Sequence, residues 1–69
     1  MKDNIFLKEM GNKMQVARKA KNITLRQLGA MCKLDYSVIE WIECGLKSSR
    51  ILTLKTIADN LDVDVKHFL

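Results

Sequence analysis

The 69-residue sequence has no proline, only three glycines (Gly11, Gly29, Gly45), one histidine and two cysteines. With so few backbone breakers, and with elements built from Lys, Leu, Ala, Met and Ile, the chain is expected to be all-helical. Cys32 and Cys44 are too few for a disulfide framework. They have no neighbouring histidines to complete a zinc site, so reduced thiols and no metal or cofactor are expected. His67 stands near the tail with no serine, cysteine or carboxylate constellation around it, and there is no glycine-rich phosphate loop. Both points argue against an enzyme. No apolar run approaches the roughly 18 residues of a membrane span. The opening MKDNIFLKEM contains acidic residues and lacks a long apolar region and a small-residue cleavage site, so it is not a secretory signal. The expectation is a cytoplasmic protein with no membrane partner.

What is present describes a soluble globular chain, with 48% hydrophobic and 29% charged residues. A chain this short buries only roughly 60% of its unfolded surface, which sets the expectation of one domain, residues 1–69, around a small core. The net charge of +4 is unevenly spread. Residues 1–34 hold eight Lys/Arg against Asp3 and Glu9, whereas 35–69 hold four against six acids. A basic surface facing a polyanion would produce this asymmetry, as would a merely solvated face.

Taken in order, residues 4–21 read as a first helix with a break near Gly11 and Asn12, its core stripe made by Phe6, Met10, Met14 and Ala17. Asn22 can end it in the left-handed conformation. Ile23 then precedes a Thr24 cap and can staple against Leu28. Between Thr24 and Gly45 the apolar residues Leu25, Leu28, Met31, Leu34, Val38, Ile39 and Ile42 recur at helical spacing, the stripe of two short helices, 24–32 and 35–44, joined by a tight turn at Lys33 and Leu34. Thr24 and Asp35 cap them, Gly45 stops the second, and Gly29 allows close approach by a neighbouring helix. After a polar connector at 46–50, a helix over 51–60 presents Leu54, Ile57, Ala58 and Leu61. Asp62 turns the chain, and Asp64 caps a last short helix with Val65, Phe68 and Leu69. Five helices result.

The joint pattern Gly11-(x)2-Met14-(x)3-Arg18, Ile23-Thr24-(x)3-Leu28-Gly29, Ile39-(x)2-Ile42-Glu43-Cys44-Gly45 and Thr53-Leu54-(x)2-Ile57-Ala58-(x)2-Leu61-(x)-Val63 resembles the Cro/phage-repressor type helix-turn-helix. This is the xenobiotic response element family, which includes phage repressors and restriction-modification controller proteins. The resemblance covers residues 9–68. It implies a compact five-helix bundle of the lambda-repressor-like DNA-binding type with the helix-turn-helix at 24–45. It also implies a bacterial or phage regulator that binds double-stranded DNA as a homodimer on a palindrome. The family's paired arginine and glutamate fall on Arg18 and Glu43, a structural ion pair. On a helical wheel Glu43 lies beside Ile39 and Ile42, where an unpaired carboxylate is costly, and Arg18 follows Met14 and Ala17 as a bidentate partner.

The resemblance further implies base contacts from Tyr36, Ser37, Glu40 and Trp41 on the second helix, set in the major groove. Ser37 can meet a base edge or a phosphate, the two rings can meet a thymine methyl, and Glu40 can accept from cytosine N4. Trp41 is equally placed to pack on the following connector, and Tyr36 to stack on sugar or phosphate. Phosphate contacts are expected from Thr24, Arg26 and Gln27 at the start of the first helix of the pair, and from Lys47, Ser48 and Arg50 after the second. Any of these six could instead be a solvated surface residue. Leu25, Cys44 and Ser49 stand where the family commonly has polar readers or proline. Apolar residues in excess of one small core (Ile51, Leu52, Val65, Phe68, Leu69) suggest dimerisation through the last helices. The competing reading is a protein-interaction module, an antitoxin or adaptor that retains the fold with weak or no specific DNA binding.

Overall fold

In the computed structural model, which describes residues 5–69, the chain forms four α-helices and a closing 3-10 turn. The helices are α1 (Ile5–Ala20), α2 (Leu25–Cys32), α3 (Tyr36–Glu43) and α4 (Ile51–Asn60), and the turn covers Val65–Phe68. No strand occurs among the described residues. The first helix was expected to start at residue 4, which lies outside them.

The fifth helix is therefore corrected to a single 3-10 turn. Its backbone bonds run from His67 N to Asp64 O (2.8 Å) and from Leu69 N to Lys66 O (3.1 Å), a four-residue segment too short for an α-helical ladder. Asp64 caps it by accepting from Lys66 N. The turn delivers Phe68 to the core, where its side chain is 1% exposed. Phe68 is thus a core residue, unavailable to a dimer surface.

Three further expectations are corrected. First, α1 runs unbroken through Gly11, because the missing side chain there admits the main-chain carbonyls of Ile42 and Glu43 from α3. The glycine serves packing rather than a kink. Second, Phe6 is exposed, and Leu7, half-buried, packs on the core in its place. Third, Met31 is exposed and its neighbour Cys32 is buried. Leu28 and Cys32, four residues apart, form the inner stripe of a helix only eight residues long.

The core comprises Met10, Met14, Leu28, Cys32, Ile39, Ile42, Leu54, Ile57, Ala58, Leu61 and Phe68. Every element contributes to it, so α3 is packed against α1 and α2 while α4 and the 3-10 turn close the far side.

All four helices end in the same way. A left-handed residue follows each last turn: Asn22 (φ 58°), Lys33 (φ 59°), Gly45 (φ 73°) and Asp62 (φ 61°). In each case the next residue's N–H reaches five residues back, as in Leu34 N to Gly29 O (2.8 Å) and Leu46 N to Trp41 O (3.0 Å). This closure satisfies the orphan carbonyls of a helix end. Only one of the four positions is a glycine, and Lys33 is the one with neither glycine's freedom nor the short polar side chain of Asn or Asp.

Candidate nucleic-acid interface

The aim of α3 is set by two contacts. At its start, Gly29 of α2 lies so close that a Cβ there would sit 2.9 Å from Leu34 O and 3.2 Å from Tyr36 Cα. At its end, Arg18 Nε donates to Glu43 Oε2 at 2.7 Å and Nη2 donates to Oε1 at 3.0 Å, a bidentate pair. The same guanidinium donates through Nη1 to Ile23 O at 2.8 Å, so one buried side chain ties α1 to α3 and to the α1–α2 loop. The hydrogen bond to Glu43 raises the Arg18 pKa above its ordinary value. Burial opposes this, and the charge of Glu43 adds to it.

With Ile39 and Ile42 inward, α3 turns Tyr36, Glu40 and Trp41 outward, and Cys44 follows on the exposed side. Tyr36 and Trp41 are 40% and 42% exposed, which leaves ring surface available on a helix otherwise anchored in the core. Ser37 is half-buried. Its backbone N–H and its hydroxyl both donate to Asp35 Oδ1, at 3.0 and 2.9 Å. Its proton is therefore engaged, and only its lone pairs face outward chemistry. These two bonds hold the Asp35 carboxyl below the usual carboxylate range.

The α2 N-terminus carries a reciprocal cap. Thr24 Oγ1 accepts from Gln27 N at 3.0 Å, and Gln27 Oε1 accepts from Thr24 N at 2.8 Å. Both side chains are exposed and retain unspent donors, the threonine hydroxyl and the glutamine amide NH2. The spacing Thr-x-x-Gln is legible in the sequence as this box.

Two ring contacts stand beside these caps, the second a form of the packing of Trp41 on the following connector that the sequence allows. The Arg26 guanidinium lies 5.0 Å from the Tyr36 ring centroid, and Lys47 Nζ lies 5.0 Å from the Trp41 ring centroid. Both are in cation–π range. No local period links a residue of α2 to one of α3, or α3 to a connector beyond a left-handed turn. The pairs place one cation at each end of the exposed α3 face. Ser48 and Arg50 follow on the exposed connector, with Arg50 at the α4 N-cap, where no side chain caps the helix. Beside Tyr36 and Glu40 an open cleft of about 650 Å³ is lined also by Lys19, Asn22, Thr24 and Arg26.

Elsewhere, Ile51, Leu52 and Leu69 are exposed and Val65 is half-buried. Burial pushes the Cys32 thiol up, opposed by the Asn60 side chain. Among the described residues no group of His, Cys, Asp or Glu is placed to hold a metal, and no helix is long and apolar enough to cross a membrane.

No protein-family profile and no curated protein matches the sequence. Solved structures do match the fold. The restriction-modification controller protein C.AhdI from Aeromonas hydrophila aligns at a TM-score of 0.87 with 22% identity, over 91% of this chain and 96% of that one. An HTH_3 family transcriptional regulator from Vibrio cholerae aligns at 0.87 with 25% identity, over 97% of this chain but 38% of that one. The clp gene regulator ClgR from Corynebacterium glutamicum aligns at 0.89 with 19% identity, over 97% of this chain and 71% of that one. All three are named as regulators or controllers. An all-helical chain, with α3 pinned at both ends and its outer face clear, has the fold of the Cro/phage-repressor type helix-turn-helix regulators.

Proposed function

We propose that this chain is a sequence-specific DNA-binding transcriptional regulator, a single domain that docks α3 in the major groove of double-stranded DNA. The observation that carries the reading is the outward face of α3, held rigid by Arg18–Glu43 and flanked by Arg26 at one end and Lys47 and Arg50 at the other. A helix presented between two cationic edges matches a groove presented between two phosphate strands. Thr24 and Gln27 have donors left for a phosphate at the α2 N-terminus, and Ser48 and Arg50 stand where the uncapped start of α4 adds its own N–H groups. Tyr36, Ser37, Glu40 and Trp41 face the bases.

The protein acts as a homodimer on a palindrome, through exposed Ile51, Leu52 and Leu69 with half-buried Val65. Its two recognition helices then sit roughly 34–36 Å apart, one turn of the duplex. The cytoplasm, where DNA is reached and Cys32 and Cys44 stay reduced, is the compartment this requires.

Titration of the purified protein against duplex DNA at several salt concentrations tests the reading. Three cationic side chains per protomer, six per dimer, predict a log–log slope of about −5. Binding that is flat with salt contradicts it. The competing reading, a protein-interaction module such as an antitoxin or adaptor, draws on the two half-exposed rings beside Glu40, since Tyr and Trp are enriched at protein interfaces. One stoichiometric protein partner together with no DNA retardation favours that alternative.

A further inference from the structure

The two cations at the ends of the exposed α3 face do not belong to α3. Arg26 stands in the first turn of α2, and Lys47 stands on the connector beyond the left-handed Gly45, where the backbone has no regular structure. Each head is nonetheless drawn to a ring that α3 carries. The Arg26 guanidinium carbon lies 5.0 Å from the Tyr36 ring centroid, and Lys47 Nζ lies 5.0 Å from the Trp41 ring centroid. Among the described residues neither head joins an ion pair.

A ring attracts a cation through its quadrupole and supplies no oxygen acceptor. Both side chains are exposed, so their heads keep N–H donors for an incoming phosphate. Arginine and lysine have long, rotamer-rich stems, and ordering such a stem on binding costs affinity. A head already held over a ring has lost part of that freedom before DNA arrives. Tyr36 and Trp41 are five residues apart, which separates them by about 7.5 Å along the helix axis and about 140° around it. The two rings therefore lean to opposite flanks of α3, and a helix in the major groove has a phosphate strand on each flank. Because Gly29 and the Arg18–Glu43 pair fix α3 at both ends, the rings and the cations over them keep one register with it.

We infer that Tyr36 and Trp41 are positioning residues for the phosphate contacts, each ring holding a cation from a neighbouring element at one flank of α3. This rests on the DNA-binding reading above and gives the rings a role independent of base sequence.

The test uses a duplex pool of random sequence, on which base reading averages out, with affinities from fluorescence anisotropy over a range of salt. Folding of every variant is checked by urea denaturation. Tyr36→Leu and Trp41→Leu keep apolar bulk but remove the π face. Each should weaken binding about two- to fivefold, the range of an exposed cation–π contact, with the salt slope unchanged because the cation still reaches its phosphate. Tyr36→Phe keeps the ring and should recover the affinity lost in Tyr36→Leu. Arg26→Met and Lys47→Met remove a charge, and each should flatten the salt slope by about one per protomer. When Tyr36→Leu is added to Arg26→Met, or Trp41→Leu to Lys47→Met, the second change should cost nothing beyond the first. Full affinity or tighter binding in either leucine variant, or losses that multiply in the double variants, overturns this inference alone. No binding of the pool by the wild type at low salt overturns the DNA-binding reading and the inference together.

Discussion

Replacing Arg18 by methionine keeps most of the side chain's volume and apolar stem but removes all three of its hydrogen bonds, two to Glu43 and one to Ile23 O. The Glu43 side chain is 4% exposed, so its carboxylate is left in the interior with no cation to compensate it. Removing one partner of such a buried pair costs about 3–5 kcal/mol. A chain of this length has about 3–10 kcal/mol of total stability to lose. Arg18→Met should therefore remove from about a third to all of the stability of the fold. Urea denaturation followed by far-UV circular dichroism measures it, with the slope m compared to the wild type. The double variant Arg18→Met with Glu43→Leu removes both charges, and it should recover most of the loss, since a buried pair replaced by apolar groups of similar size is often nearly neutral. A single-variant loss below about 1 kcal/mol, or a double variant no better than the single, would refute the view that this pair is a desolvated lock rather than two surface charges.

Gly11→Ala should destabilise the fold by at least about 1 kcal/mol in the same assay despite alanine's better helix propensity, because the new Cβ would lie 2.6 Å from Glu43 O, a backbone atom that cannot yield without moving α3. Lys33→Gly should raise stability by about 0.5–1 kcal/mol, since Lys33 holds a left-handed φ of 59° without glycine's freedom. A thermal melt unchanged or lowered would contradict that. Asp35 titrates below its ordinary value because it accepts from the Ser37 N–H and hydroxyl. Its capping contribution is thus fully present above the ordinary carboxylate range and is lost as pH falls through the lowered folded value. Asp35→Asn keeps an N-cap acceptor and should flatten that part of the acid unfolding curve, which a pH titration of helical ellipticity reads directly.

Much of the fold was legible because it depends on short-range patterns. Asn22 and Gly45 mark helix ends by their tolerance of positive φ, and Thr24 and Asp35 mark starts by their side-chain oxygens. The run 51–60 coincides with α4. Errors arose where a periodic stripe admits two neighbouring solutions. Met31 and Cys32 differ by one position, and only the packing of α4 against α2 selects the smaller thiol for the interior. Phe6 extends the stripe of α1 one turn beyond the surface that the rest of the core covers, so periodicity alone placed it inside. Gly11 read as a break, since its reason for being small lies on another helix. The candidate site was legible as a set of positions through the family pattern, but not as chemistry. Arg26 over Tyr36, Lys47 over Trp41 and the proton of Ser37 held by Asp35 are tertiary or rotameric facts.

The central claim is that the face built from the α2 N-terminus, α3 and the following connector is where a DNA duplex docks. Amide chemical shifts of the isotopically labelled protein, followed by nuclear magnetic resonance as duplex DNA is added at low salt, test it most directly. The account predicts that the largest changes fall within residues 24–27, 36–41 and 47–50 and fade as salt is raised. Changes confined to residues 51–69 or to the outer side of α1, or no changes at any DNA concentration, would contradict it.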